Sequence, residues 1–138
     1  MAARDNSSAA IINALIKNGW NITADPYTLW YGGRKVEIDL AAEKLLAAER
    51  GGEQIAVEIK SFIGQSPVHD LELALGQYNL YVSVLKRLQP GRRLFLAVGD
   101  LIYEALLEID MFRLVVEDYQ MAIVVIELDT EEVIRWIP

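Results

Sequence analysis

The chain has 138 residues, of which 53% are hydrophobic, and it carries a formal net charge of −7 and no cysteine. This length suits one domain with a core of ordinary size. The absence of cysteine excludes disulfides, zinc–thiolate sites and thiol catalysis. The negative charge opposes general attraction to nucleic acid, so action on DNA would need divalent cations, a local basic patch or a positively charged partner.

The N-terminal residues contain no apolar run long enough for a signal peptide or a membrane span. We therefore expect a cytoplasmic protein that does not associate with a membrane. No repeat, linker or low-complexity tract divides the sequence, which predicts a single domain over residues 1–138.

The first part of the chain predicts a helix followed by a strand. Apolar residues recur at helical spacing over residues 7–18, and Gly19 follows as a residue that commonly ends a helix. Residues 20–24 alternate apolar and polar side chains, which is typical of a strand.

A hairpin and a segment of ambiguous structure come next. Residues 29–31 and 36–40 flank Gly32 and Gly33, and this pattern predicts two strands joined by a tight turn. Residues 41–50 have a composition that favours helix, but they lie between two predicted strands. A helix and a bulged return strand are equally consistent with them.

The middle of the chain carries the clearest strand and a long helix. Residues 54–62 place Ile55, Val57 and Ile59 on one face, which predicts a strand. Helical spacing of apolar residues then predicts a helix over residues 68–88.

The remaining elements complete a mixed sheet. Residues 93–98 are predicted to be a short buried strand and residues 102–109 a helix, with an irregular continuation over residues 114–118. Two strands over residues 122–128 and 133–137 predict a C-terminal β-hairpin. The fold class expected is α/β (α+β), with a mixed sheet flanked by helices.

Two carboxylates and one ammonium group are the candidates for catalysis. Asp39 closes a predicted strand, and Glu58 and Lys60 lie two residues apart on the next clear strand, so both point to the same face. Neighbouring carboxylates can hold Mg²⁺, or Mn²⁺, which would polarise a scissile phosphate and activate a water molecule. Lysine beside the metal can orient the attacking water. The alternative is a solvated strand face, where Glu-x-Lys is common.

The order of elements, with I-D-L followed by A-V-E-I-K, resembles the PD-(D/E)xK superfamily of nucleases. The resemblance implies an αβββαβ core in which Asp39, Glu58 and Lys60 match the Asp, the Glu and the Lys of the motif, with Asp39 and Glu58 as metal ligands. Gln77 and Tyr81 match a Q-x-x-x-Y pattern of RecB-type members, and they share one helical face. Gln77 is expected to support the catalytic site, while Tyr81 is expected either to contact substrate or to belong to the core.

The chain also resembles, from about residue 4 to residue 138, the XisH family of fdxN-element excision controlling factors. The stretches that carry this resemblance are ALIKNGWNITADPYTL, VEIDLAAEKLLAAERGGEQIAVEIKSF, HDLELALGQYNLY and VIRWIP. The resemblance implies a role in site-specific DNA excision during heterocyst differentiation in cyanobacteria, with DNA, the companion factor XisI and a separate recombinase as partners. The first helix lacks the Glu that many superfamily members use as a metal ligand.

Two further polar residues are considered near this site. Glu43 could be an extra metal ligand if the segment after Asp39 bulges, and it is otherwise a surface charge. His69, the only histidine, begins the long helix. A cap or surface role is usual there, but the preceding short loop could also bring His69 to the mouth of the site as a substrate contact.

The densest basic patch lies around Pro90 and Gly91. On so acidic a protein this patch supplies the best candidates for phosphate contacts, and its members are Lys86, Arg87, Arg92 and Arg93. The three tryptophans are not interleaved with basic residues, so they are expected to be core or interface residues rather than platforms for base stacking.

Two functional hypotheses follow. The first is a metal-dependent DNA endonuclease that takes part in excision of a DNA element. The second is a non-catalytic regulatory or docking subunit of a recombinase complex that retains the nuclease fold. The acidic balance, the missing helix Glu and the apolar C-terminal hairpin favour the second. A homodimer is compatible with either.

Overall fold

The computed structural model of the chain describes residues 7–45 and 52–138. Helices and strands follow one another along these residues without a long irregular segment. In chain order the elements are α1 (Ser7–Lys17), β1 (Asn21–Ala24), β2 (Tyr27–Tyr31), β3 (Arg34–Ile38), β4 (Leu40–Leu45), β5 (Gly52–Ile59), α2 (Pro67–Leu88), β6 (Arg92–Gly99), α3 (Asp100–Leu107), α4 (Asp110–Tyr119), β7 (Ile123–Glu127) and β8 (Glu132–Ile137).

Six of the described strands form a mixed sheet in the order β1-β4-β5-β6-β7-β8, and β2 and β3 form a separate hairpin. The central strands β5, β6 and β7 run parallel to one another. The strands on either side of these three, β1 and β4 at one edge and β8 at the other, pair antiparallel with their neighbours. The mixed sheet flanked by helices that the sequence predicts is therefore confirmed.

Helices cover both faces of this sheet. Ile11 and Leu15 of α1 pack on one face, together with Trp20. The other face is covered by α2, α3, α4 and the β2–β3 hairpin, and its core includes Tyr78 and Phe112. Each face of the sheet therefore has its own hydrophobic core, and a strand residue belongs to one core or the other according to its parity.

Strand β5 shows how this parity places charge inside the protein. Ile55 and Val57 pack toward α1, while Ala56 belongs to the core beneath α2. Glu58 has the parity of Ala56 and is therefore directed to the α2 face, where it is only 7% exposed. A central strand that is covered on both sides has no solvated face, so the charge lies within the fold.

Helix α2 begins and ends at residues that the sequence makes recognisable. The Ser66 hydroxyl accepts a hydrogen bond from the His69 backbone N–H at 3.2 Å, and Pro67 occupies the first turn. The helix ends before Pro90, which cannot continue it. Its Tyr78 hydroxyl accepts a hydrogen bond from the Ala122 N–H at 2.8 Å and so joins the helix to the sheet.

Three expectations from the sequence are revised by the fold. The ambiguous segment after Asp39 forms strand β4 up to Leu45, and residues 46–50 lie outside the described residues. The irregular continuation expected over residues 114–118 is wrong, because α4 is a regular helix whose Phe112 is buried. The apolar C-terminal hairpin is buried in one strand alone, because β7 is covered on both faces, whereas β8 is an edge strand on which Ile134 is 52% exposed. None of the described helices is long and apolar enough to cross a membrane.

Candidate functional site

Asp39 and Glu58 hold each other in place through the backbone. Asp39 lies between β3 and β4, where the chain leaves the hairpin and enters the sheet, and its neighbours Ile38 and Leu40 are fully buried. Its Oδ2 accepts a hydrogen bond from the Ile59 N–H at 2.8 Å. In return, Oε1 of Glu58 accepts a hydrogen bond from the Asp39 N–H at 3.1 Å. The two carboxylates are therefore fixed side by side.

Lys60 supplies the positive charge of this group. It follows β5 directly, and its backbone N–H donates to the Ala97 carbonyl at 3.0 Å, which keeps it aligned with β6. Its ammonium lies 3.6 Å from Oε2 of Glu58, and its side chain is 24% exposed against 9% for Glu58. The structure thus brings Asp39, Glu58 and Lys60 together, with the Lys60 side chain more exposed than that of Glu58.

The acidity of Glu58 reflects this environment. Burial raises the pKa of the Glu58 carboxyl from 4.5 to about 7, and the negative charge of Asp39 adds to that effect. The Lys60 ammonium and the hydrogen bond from the Asp39 N–H act in the opposite direction without overcoming it. Near neutral pH the carboxyl therefore passes between its protonated and ionised forms, which is the behaviour of a strongly perturbed site residue.

Two further residues predicted for the site, Gln77 and Tyr81, lie on α2, which packs against one face of the sheet. Tyr81 is buried, and its pKa is raised to about 12 by burial first and then by the charges of Glu58, Asp39 and Glu37. Its ring belongs to the core, as one of the two expectations for Tyr81 states, and the substrate contact stays a prediction. One turn earlier, the Gln77 side-chain oxygen is buried and has no hydrogen-bond partner among the described residues.

A cavity of about 240 Å³ lies beside Lys60 and is bounded by the loop that leads to α2. Asp70 closes it from the helix, because its Oδ2 accepts a hydrogen bond from the Gly64 N–H at 2.8 Å. A methyl group at Gly64 would lie 2.4 Å from Asp70 Oδ1, so this close approach requires glycine. The only signal of Asp70 in the sequence is an acidic residue in the first turn of a helix, which does not by itself predict a place in the site.

His69 adjoins Asp70 but does not take part in that contact. Its side chain is 67% exposed, and Nδ1 lies 3.9 Å from the Glu72 carboxylate. The structure therefore places His69 on the surface, next in the chain to Asp70, which lines the cavity, and a substrate contact by His69 stays a prediction.

Glu43 and Arg92 lie away from this group of residues. Glu43 pairs with Gln54 across the strands, four residues along β4 from Asp39. Arg92 donates to the Ile55 carbonyl at 2.9 Å and lies 3.3 Å from the Glu43 carboxylate, with only 6% of its side chain exposed. The structure therefore corrects two expectations. Glu43 is the counter-charge of a buried arginine rather than a neighbour of Asp39, and Arg92 is not available at the surface to contact phosphate.

The other members of the basic patch are exposed, but they lie at the far end of the sheet. Lys86 and Arg87 form the last turn of α2. Arg93 lies at the start of β6, opposite Ile55, whereas Glu58 is opposite Leu96 near the other end of that strand pair. Arg93 and Glu58 are therefore separated by the length of three strand residues, which is about 10 Å. The basic patch and the carboxylates thus form two distinct regions.

The donor set of the carboxylate pair suits a hard divalent cation. Within residues 7–45 and 52–138, no group of three or more His, Cys, Asp or Glu side chains is arranged to hold a metal ion. Mg²⁺ commonly keeps several water ligands and binds through one or two carboxylates together with substrate phosphates. Asp39 and Glu58 would fit that mode, and a cation would offset the mutual repulsion that contributes to the raised pKa of Glu58.

Comparison with known proteins gives consistent matches over nearly the whole chain. The profile of the family described as XisH protein matches residues 1–134. The crystal structure of an fdxN element excision controlling factor protein from Anabaena variabilis is 34% identical, with a TM-score of 0.86 over 98% of this chain and 100% of that one. An XisH family protein from Nostoc punctiforme PCC 73102 is 35% identical, with a TM-score of 0.86 over 97% of this chain and 100% of that one. No curated protein shows significant similarity.

Proposed function

The chain belongs to the XisH family, and from this premise we propose that it is an endonuclease-like protein that controls site-specific excision of a DNA element through a Mg²⁺- or Mn²⁺-dependent phosphodiesterase site. A solved relative is described as an fdxN element excision controlling factor. The observation that carries the proposal is the pair of hydrogen bonds by which the Glu58 carboxylate accepts from the Asp39 N–H and the Asp39 carboxylate accepts from the Ile59 N–H. The Lys60 ammonium lies 3.6 Å from Glu58.

Each residue of the site has a role in this proposal. Asp39 and Glu58 would hold the divalent cation, which would supply Lewis-acid activation of the phosphate and of a bound water. Lys60 orients the attacking water and stabilises the negative charge that develops on the phosphate. Gln77, whose buried side-chain oxygen has no hydrogen-bond partner among the described residues, would supply a hydrogen-bond acceptor to the site. Tyr81 packs behind the carboxylates and excludes water from that side.

The partners in this proposal are those that the family implies: DNA, the factor XisI and a site-specific recombinase. The formal charge of −7 means that the protein alone binds a polyanion weakly. Divalent cations at Asp39 and Glu58, together with the exposed basic residues Lys86 and Arg87, would supply the missing positive charge.

Cleavage assays with conservative variants test the catalytic roles. The purified protein would be incubated with supercoiled, nicked and branched DNA in Mg²⁺ or Mn²⁺. Asp39→Asn retains an oxygen that can accept from the Ile59 N–H, and Lys60→Gln retains much of the side-chain length. Each should lower the cleavage rate by about a hundredfold or more. The matched control Lys35→Gln, on the exposed strand β3, should cleave like the unmodified protein.

The assay has a clear contrary result. If the protein cleaves DNA and both site variants cleave equally well, the nuclease activity does not reside at Asp39 and Lys60. If no substrate is cleaved with either metal, the catalytic proposal is wrong and the protein belongs to the second functional class.

The second candidate is a non-catalytic regulatory or docking subunit that retains the nuclease-like fold. The observation that favours it is the lack, among the described residues, of a third carboxylate or histidine beside Asp39 and Glu58. If titration calorimetry detects no binding of Mg²⁺ or Mn²⁺ at millimolar concentration, the protein belongs to this class. In addition, Asp39→Asn would leave excision unchanged in a reconstituted recombinase reaction.

A further inference from the structure

An aromatic and cationic pocket lies on the α1 face of the sheet, at the end remote from Glu58. It has a volume of about 250 Å³. Trp20 and Phe95 form its buried floor, and the half-buried ring of Trp136 contacts both of them, with centroid distances of 5.8 and 4.9 Å. These three rings come from separate parts of the chain and meet only in the folded protein.

Two cations stand over these rings. The Lys44 ammonium lies 5.6 Å from the centre of the Trp20 ring, and the Arg93 guanidinium lies 4.9 Å from the centre of the Phe95 ring. Both distances are within the range of a significant cation–π interaction. The rings therefore hold two positive charges at the rim of one small pocket on a chain whose formal net charge is −7.

The backbone next to the pocket is shaped to admit Lys44. Gly19 has φ +96°, a conformation that side-chain-bearing residues rarely adopt. A methyl group there would lie 3.2 Å from Cε and 3.7 Å from Nζ of Lys44. Glycine thus serves both the turn after α1 and the close approach of the lysine.

The polar edge of the pocket carries an acceptor and a donor. Oδ1 of Asn18 accepts a hydrogen bond from the indole N–H of Trp20 at 3.3 Å, which turns the Asn18 amide nitrogen outward as a donor. Glu53, which lies opposite Lys44 in the pairing of β4 with β5, also lines the pocket and offers carboxylate oxygens as acceptors, so the side chains of Lys44, Arg93 and Glu53 together carry one excess positive charge. A planar ligand with a polar edge could satisfy both groups while it packs against Trp136.

We infer that this pocket binds a single nucleotide unit, with its base against Trp136 and its phosphate between Lys44 and Arg93. Base–aromatic contact together with cationic side chains is the usual chemistry by which proteins bind unpaired nucleotides. The volume lies below the usual range for drug-sized ligands, so the pocket can take the base of one nucleotide with its phosphate at the rim, but no longer segment. The nucleotide would be either free or the unpaired end of a DNA strand, and this inference stands independently of catalysis at Glu58.

Tryptophan fluorescence offers a direct test. Trp30 is 63% exposed on the separate hairpin, so Trp30→Phe leaves Trp20 and Trp136 as the reporters of the pocket. In that background, deoxyadenosine monophosphate should quench the emission saturably. Deoxyadenosine without phosphate should bind about tenfold more weakly. A short single-stranded oligonucleotide that binds more tightly than the mononucleotide would identify a DNA end as the source, whereas equal affinity would identify a free nucleotide.

Charge-neutral variants supply the control. Arg93→Gln and Lys44→Gln should each weaken nucleotide binding by about tenfold, since each removes a charge-assisted contact to phosphate. Arg34→Gln, an exposed cation on β3, should bind as the Trp30→Phe protein does, and circular dichroism would verify that all variants are folded. Quenching that does not saturate, affinity unchanged by Arg93→Gln, or tighter binding of an acidic aromatic peptide than of nucleotide would overturn the inference.

Discussion

The raised pKa of Glu58 makes a quantitative prediction about stability. A carboxyl whose folded-state pKa lies above its unfolded value stabilises the fold most at low pH. That contribution is fully present below about 4.5 and is lost as the pH rises through about 7. At about 1.4 kcal/mol for each pH unit, the displacement from 4.5 to about 7 corresponds to about 3 kcal/mol. Most of this loss falls between about pH 5 and pH 8.

Glu58→Gln isolates this contribution, because a glutamine cannot ionise but can still accept the hydrogen bond from the Asp39 N–H. Between about pH 5 and pH 8, the free energy of unfolding measured by urea denaturation should fall by about 2 to 3 kcal/mol more in the unmodified protein than in the variant. The exposed carboxylate Glu104 provides the control, and Glu104→Gln should follow the unmodified protein at both pH values. Parallel pH profiles for the unmodified protein and Glu58→Gln would refute the electrostatic reasoning.

The same experiment repeated with Mg²⁺ separates electrostatics from metal binding. At about pH 8 a bound cation should raise the free energy of unfolding of the unmodified protein, with little effect on Glu58→Gln. If the pH profiles differ as expected but Mg²⁺ stabilises neither protein, the raised pKa of Glu58 is supported and the proposed metal site is wrong.

Two further predictions concern residues that stabilise the sheet away from the site. Arg92→Ala should lower the free energy of unfolding by about 2 kcal/mol, because it removes the donor to the Ile55 carbonyl and the positive charge that faces Glu43. A urea-measured loss below about 0.5 kcal/mol would show that this buried pair does not anchor the sheet. Tyr78→Phe should cost about 1 kcal/mol through the unpaired Ala122 N–H, and an unchanged Tm would contradict that role.

The elements that carry the site could be predicted because their local patterns agree with their tertiary environment. The alternation of Ile55, Val57 and Ile59 persists because β5 is packed against α1 on that face. Helix α2 follows its apolar spacing and its Ser66 cap closely. The side chains of Glu58 and Lys60 could be placed on one face for the same reason.

The remaining features depend on contacts between residues far apart in the sequence. Ala41 and Ala42 belong to a composition that favours helix, yet they are almost completely buried in β4 because small side chains fit between the two layers. The Arg92–Glu43 pair joins residues 49 positions apart, and no local pattern indicates such a pair. Likewise, Lys44 lies over Trp20 only because β4 pairs with β1.

The charges at the site also determine which experiment can distinguish the two functional classes. Asp39 and Glu58 bring two negative charges together, and Lys60 offsets only part of their repulsion, since the pKa of Glu58 still rises to about 7. Such a pair attracts a divalent cation whether or not DNA is cleaved, because the attraction depends on the carboxylates alone. The lack of metal binding would therefore exclude the nuclease, but metal binding would not establish it. Only loss of cleavage in Lys60→Gln, which retains both carboxylates, distinguishes a catalytic site from a cation-binding remnant.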